Sequence, residues 1–236
     1  MSQLICQDLS VGYDGKVILQ DVNFEVCDGD YLCIVGENGS GKSTLMKTIL
    51  GLLPVINGKI LFGEGLKKNE IGYLPQQTNI QKDFPASVRE IVLSGCQTRG
   101  GNRLFYSKKE KQIAYDNMNK LQINNFKNKS YRQLSGGQQQ KVLLARALCA
   151  TKKILLLDEP VSDLDPKSTQ ELYTVIKNLN QQEGITIIMI SHDITAVKYA
   201  SKILHVGEKI FFGTKDEYLK SKQSYLFMTS KDGEIL

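Results

Sequence analysis

The chain has 236 residues, 41% hydrophobic and 23% charged, a balance that suits one large α/β domain and excludes intrinsic disorder. Its formal net charge of +5 is spread over short clusters such as Lys67-Lys68 and Lys108-Lys109-Glu110-Lys111, so a solvated surface is expected and no nucleic-acid partner. Five cysteines with no Cys-x-x-Cys pair exclude a metal finger and, without a secretion signal, point to a reducing cytosol.

From the N-terminus, residues 3–9, 17–26 and 58–62 read as strands around turns at Asp14-Gly15, Asp28-Gly29 and Asn57-Gly58, predicting a small β layer. Residues 31–35 form an apolar, partly β-branched run, and residues 45–50 are helix-like. Between them stands Gly36-Glu37-Asn38-Gly39-Ser40-Gly41-Lys42-Ser43-Thr44, two glycines flanking four residues and followed by Lys and Ser. A strand entering this loop and a helix leaving it aim backbone N–H groups and a positive helix end at one point, which suits a polyphosphate. Gly36, Gly39 and Gly41 allow the tight curl, Lys42 reaches outer phosphates, and the Ser43 hydroxyl ligates Mg²⁺.

A short strand at 71–74 is stopped by Pro75, and the stretch from about 77 to 150 then changes character. It holds a helix opened by the capping pattern Ser87-Val88-Arg89-Glu90, a polar helix near 108–121, an asparagine-rich loop over 117–130 and a helix over 136–150. This predicts a helical subdomain inserted into a core formed by 1–76 and 151–236, all within a single domain. Alternation then resumes: strand 153–158, helix 166–182, strand 185–190, helix 193–199, strand 202–206, a hairpin-like run to 212, and a short tail after about 222. Such alternation implies a parallel sheet, and the wholly apolar strands imply cover on both faces. The fold class is α/β. No apolar stretch approaches the ~18–20 residues of a membrane span.

Two further motifs narrow the chemistry. The strand Ile154-Leu155-Leu156-Leu157 ends in Asp158 and Glu159, which puts two carboxylates at a sheet edge. Asp158 suits the hydration shell of Mg²⁺, and Glu159 can take a proton from an attacking water. Leu134-Ser135-Gly136-Gly137-Gln138 opens the third long helix, a second anion-binding helix start.

In this order the three motifs resemble the Walker A, signature and Walker B motifs of ATP-binding cassette (ABC) ATPases, and the resemblance covers nearly the whole chain. It implies a P-loop core with an antiparallel β layer and a helical insert, binding ATP and Mg²⁺. Tyr13 resembles the aromatic that stacks on adenine, and Gln76 the Q-loop glutamine that contacts Mg²⁺ and water. Asp165, in Ser162-Asp163-Leu164-Asp165, is similar to a D-loop residue, although Asp163 replaces the usual small residue. His192 resembles the switch histidine near the γ-phosphate. The family's geometry implies a homodimer with each ATP held between one phosphate loop and the opposite signature helix.

The resemblance further implies an integral membrane permease as partner, an extracytoplasmic solute-binding protein acting indirectly, and a peripheral place on the cytoplasmic face of the membrane. Residues 83–92 and 105–111 are similar to ATPases of zinc and manganese importers, and residues 76–101 are where the family docks on permease loops. An ATPase for another solute, or a soluble cassette ATPase of iron–sulfur cluster assembly, stand as alternatives. A GTPase fails for want of an Asn-Lys-x-Asp guanine reader.

Overall fold

A computed structural model describes residues 1–63, 66, 70–77, 84–97, 105–151 and 153–229. Lys67-Lys68 and Asp83, both singled out in the sequence, lie outside the described residues. The chain divides into two compact units, Met1–Lys68 with Thr186–Leu236, and Asn69–Ile185.

The first unit opens with β1 (Ser2–Tyr13) and β2 (Lys16–Cys27), a long antiparallel hairpin turned at Asp14 and Gly15, both at positive φ. Then come β3 (Tyr31–Val35), α1 (Lys42–Ile49) and β4 (Asn57–Phe62). β4 pairs with the other edge of β1, giving the order β2-β1-β4 and the expected β layer. Leu4, Cys6, Leu9 and Val11 of β1 are buried, the signature of a sheet with one covered face.

The second unit takes β5 (Ile71–Leu74), α2 (Val88–Ser94), α3 (Lys108–Lys120), α4 (Gly136–Ala150), β6 (Ile154–Asp158) and α5 (Pro166–Gln181). Strands β5 and β6 pair in parallel, Ile71 opposite Ile154 through Leu74 opposite Leu157. The capping box at Ser87 and Glu90 is formed as its spacing predicts, and Ser107 with Glu110 makes another. Helix α3 runs through Asn117 to Lys120, so the predicted helix near 108–121 forms and the overlapping asparagine-rich run is loop only beyond it. Asn117 is buried and donates its amide to Cys149 Sγ on α4 at 3.4 Å, a tertiary bond that offsets the turn preference of an asparagine-rich run.

Helix α4 packs closely on its neighbours. A Cβ on Gly95, after α2, would lie 2.0 Å from the Arg146 carbonyl oxygen. Gly95→Ala is therefore expected to destabilise the protein by about 1–3 kcal/mol through overpacking, seen as a lowered thermal midpoint. An unchanged midpoint would show that this approach is not a constraint.

The chain returns to the first unit with β7 (Thr186–Ile190), α6 (Ile194–Val197), β8 (Lys202–His205), β9 (Phe211–Thr214), α7 (Lys215–Leu219) and α8 (Lys222–Thr229). β3 lies between β7 and β8, parallel to both, and all five of its residues are buried. β9 closes this edge antiparallel to β8, so the sheet is mixed where the alternation alone predicts parallel strands. Helix α6 is shorter than the predicted 193–199, and the tail carries a helix the sequence reading lacked. Phe24 of β2 and Phe212 of β9 meet at a centroid distance of 6.1 Å, joining the two sheets of this unit.

All five cysteines are free, and Cys6, Cys33, Cys96 and Cys149 are buried. Burial pushes the thiols of Cys6 and Cys33 up to about 12. No helix among the described residues is long and apolar enough to cross a membrane.

Candidate functional site

The first unit builds the phosphate loop between β3 and α1. Strand β3 is held on both sides, Ile34 opposite Ile190 and Val35 opposite His205, so the loop leaves a fixed edge. Gly36 takes φ 145, and a Cβ there would fall 2.0 Å from the Val206 carbonyl oxygen, so only glycine fits. Gly41 forms the N-cap of α1 and brings no side chain to its N–H groups. Those first-turn donors and the positive helix end face the loop.

Lys42 is buried in this loop. Its ammonium donates to the Glu37 carbonyl at 2.6 Å and the Gly36 carbonyl at 3.0 Å, with Ser40 Oγ at 3.5 Å. Asn38 and Gly39 are exposed at the tip, and Ser43 and Thr44 are half-buried in the first turn of α1. Behind the loop, His205 Nδ1 lies 2.9 Å from the Tyr218 hydroxyl, and burial holds its imidazole below the usual histidine range.

The same unit brings two other predicted residues to this edge. Ser191 N–H donates to the Ile34 carbonyl at 3.1 Å, so exposed His192 follows β7 beside the end of β3. Tyr13 ends β1 opposite Lys16 and is 52% exposed, a ring open to stack on a flat ligand. Two residues further along β2, Ile18 reaches the loop: its Cγ2 would lie 2.8 Å from a Cβ on Gly41.

The second unit carries the carboxylates and the signature segment. Asp158, the last residue of β6, is buried, and Tyr73 of β5 hydrogen-bonds it. Burial, with the Asp158 charge and that bond, pushes the Tyr73 phenol up to about 12, so it stays a neutral donor. Glu159 follows with φ 47, an αL conformation uncommon for a non-glycine residue that turns its carboxylate out of the strand. Its Oε2 accepts from Gln76 Nε2 at 2.9 Å, which ties the first glutamine after β5 to the carboxylate predicted to act as base.

Ser135 caps α4. Its hydroxyl accepts from Gln138 N–H at 3.4 Å and the Gln138 side chain accepts from Ser135 N–H at 3.1 Å, while Gly136 is exposed. Leu134 is buried beneath them. A Cβ on Gly137 would meet Ser168 Oγ at 2.8 Å, so the helix start lies against the start of α5. There Asp165 acts as N-cap, accepting from Lys167 and Ser168 N–H and from the Ser168 hydroxyl at 2.6 Å. The Ser168 hydroxyl bond leads the causes that hold its carboxyl below the usual range. This carboxylate is engaged in capping, a role the sequence reading did not assign. Asp163 takes φ 64, a left-handed conformation that aspartate visits more readily than most non-glycine residues.

Sequence reasoning missed two residues at this site, Tyr73 and Gln77. Gln77 donates to the Tyr131 hydroxyl at 2.7 Å and to Gln139 Oε1 at 3.0 Å. Nothing local marks either residue, because their partners lie far along the chain.

Residues 19–162 match the family model for ABC transporters. The chain is 38% identical to the manganese transport system ATP-binding protein MntB of Bacillus subtilis, over 87% of this chain and 84% of that one. It is 34% identical to the zinc uptake system ATP-binding protein ZurA of Listeria monocytogenes, over 97% and 90%. Among solved structures, cbiO1 of Clostridium perfringens, part of the cbiONQ ABC transporter complex, is similar with a TM-score of 0.79 at 28% identity, covering 98% and 95%. An ATP-binding cassette of an ABC transporter in its ADP conformation gives a TM-score of 0.82 at 22% identity, covering 98% and 100%.

Proposed function

This chain belongs to the ABC transporter family as an ATP-binding, ATP-hydrolysing subunit, and on that premise we propose that it energises uptake of a divalent metal ion, zinc or manganese, through a separate permease. One observation carries the choice of cargo: the similarity to manganese and zinc transport ATP-binding proteins runs over most of both chains. The metal is cargo for the permease and need not touch this subunit.

The residues divide the work of phosphoryl transfer to water, which is mostly positioning and charge neutralisation. Lys42 and the start of α1 hold the phosphates, and Tyr13 stacks on the base. Glu159, held by Gln76, takes the proton of the attacking water, and His192 fixes the geometry at the γ-phosphate. The exposed cap of α4 closes on the nucleotide of a second copy, with Ser135, Gly136, Gly137 and Gln138 supplying donors.

The Ser43 hydroxyl, the Gln76 amide oxygen and the buried Asp158 carboxylate are each hard oxygen donors of the type Mg²⁺ takes. Mg²⁺ would supply neutralisation of phosphate charge.

A cleft of about 340 Å³ supports a permease contact. Pro75, Phe84, Ala86, Ile91 and Tyr131 give it apolar walls, with Arg146 at its rim. Phe84 is 55% exposed there, a surface suited to an amphipathic cytoplasmic helix of the permease.

The test is ATP hydrolysis and ion uptake by the subunit reconstituted with its permease and solute-binding protein in vesicles. Stimulation by zinc or manganese, with the ion accumulating inside, is the expected result. Stimulation only by a different solute would remove the metal assignment and leave the ATPase in place.

A further inference from the structure

Gln76 and Gln77 are neighbours that hold different parts of the second unit. Gln76 bonds the carboxylate of Glu159. The two amide hydrogens of Gln77 go elsewhere, one to the Tyr131 hydroxyl at 2.7 Å and one to Gln139 Oε1 at 3.0 Å. Gln139 in turn donates from Nε2 to the Tyr131 main-chain carbonyl at 3.1 Å, which closes a ring through the backbone of Tyr131. That carbonyl also accepts from Leu134 N–H at 3.1 Å.

The placement of this ring is informative. Tyr131 and Gln139 bracket the 134–138 segment, one before it and one after it, and both are buried. A single amide, that of Gln77, grips both brackets. Burial pushes the Tyr131 phenol well above its ordinary range, so it stays a neutral hydroxyl at working pH. The two bonds from Gln77 are part-buried, and a pair partly withdrawn from water fixes geometry better than a fully solvated one.

We propose that Gln77 is a positioning residue for hydrolysis: through Tyr131 and Gln139 it sets the 134–138 segment relative to the Gln76–Glu159 pair. The proposal rests on the reading above, in which that segment grips the nucleotide of a second copy. A shift of either bracket misplaces donors that act on the γ-phosphate, while the phosphate loop keeps its hold on ATP. Misplacement by a fraction of a hydrogen-bond length lowers turnover and leaves the binding of nucleotide to the open subunit unchanged.

The test compares Gln77→Leu and Tyr131→Phe with the parent in the full chain. The readouts are steady-state kcat for ATP, affinity for a fluorescent ATP analogue, and thermal midpoint. Gln77→Leu removes both bonds, and kcat is expected to fall about 3- to 30-fold with analogue affinity unchanged. Tyr131→Phe keeps the ring and removes one bond, so a smaller fall is expected, and the double variant should be no slower than Gln77→Leu alone.

A Gln77→Leu kcat within twofold of the parent overturns the proposal, as does a fall matched by equal losses of analogue affinity and thermal midpoint. If Gln77→Leu does not fold, the single-bond Tyr131→Phe variant decides by the same criteria. A parent chain that binds the analogue but never hydrolyses ATP would sink the functional reading itself, an outcome distinct from an active parent with an equally active Gln77→Leu.

Discussion

Glu159→Gln is expected to bind ATP like the parent and to hydrolyse it about 10²–10⁴-fold more slowly, the usual cost of losing a general base. The substitution keeps the shape and a carbonyl oxygen that can still accept from Gln76, now 2.9 Å from Oε2, so the local frame survives. What is lost is the ability to take a proton. The αL backbone at Glu159 makes this test clean, since glutamine meets the same φ 47 with the same branching. ATP should therefore outlast closure of the pair, and the variant should accumulate as a dimer. Size-exclusion chromatography with Mg²⁺ and ATP checks this. A profile with monomer alone would count against a nucleotide-held pair, and undiminished hydrolysis would remove Glu159 from the role of base.

Lys42→Ala acts at the earlier step. The ammonium is buried and already bonded to the carbonyls of Gly36 and Glu37, so the loop is shaped around a cation before any phosphate arrives. Alanine deletes that charge and leaves carbonyl oxygens facing one another across the curl. Charge-assisted bonds are worth about 1.5–3 kcal/mol, so ATP affinity should fall about 10- to 100-fold. Equilibrium titration with Mg²⁺-ATP measures it. Affinity equal to the parent's would mean the phosphates are held by backbone N–H groups alone.

What could be read from the sequence was chemistry that is local in the chain. The nine-residue loop from Gly36 to Thr44, the apolar strand ending in Asp158-Glu159, and the capped helix starting at Gly136 each announce themselves in a short window. Gln76 and His192 came through family resemblance, since a glutamine after a proline or a histidine after a strand is by itself ordinary. Gln77 and Tyr131 were illegible because 54 residues separate the donor from its acceptor, and no periodicity encodes such a pair. At Asn117 two local readings overlap, the helix near 108–121 and the asparagine-rich loop, and the buried amide bonded to Cys149 accompanies the helix. The antiparallel β9 was half legible, as a hairpin whose pairing with β8 only the structure supplies.

The burial of the thiols has a practical side. A sulfur must lose its proton to attack a maleimide, and Cys6 and Cys33 resist that loss at neutral pH. Cys96 and Cys149 are shut away from reagent, whereas Cys27, at the end of β2, is partly open to solvent. Nature has thus left one convenient handle on the wild-type chain. A dye placed there would label the chain at a single position, with no cysteine removed.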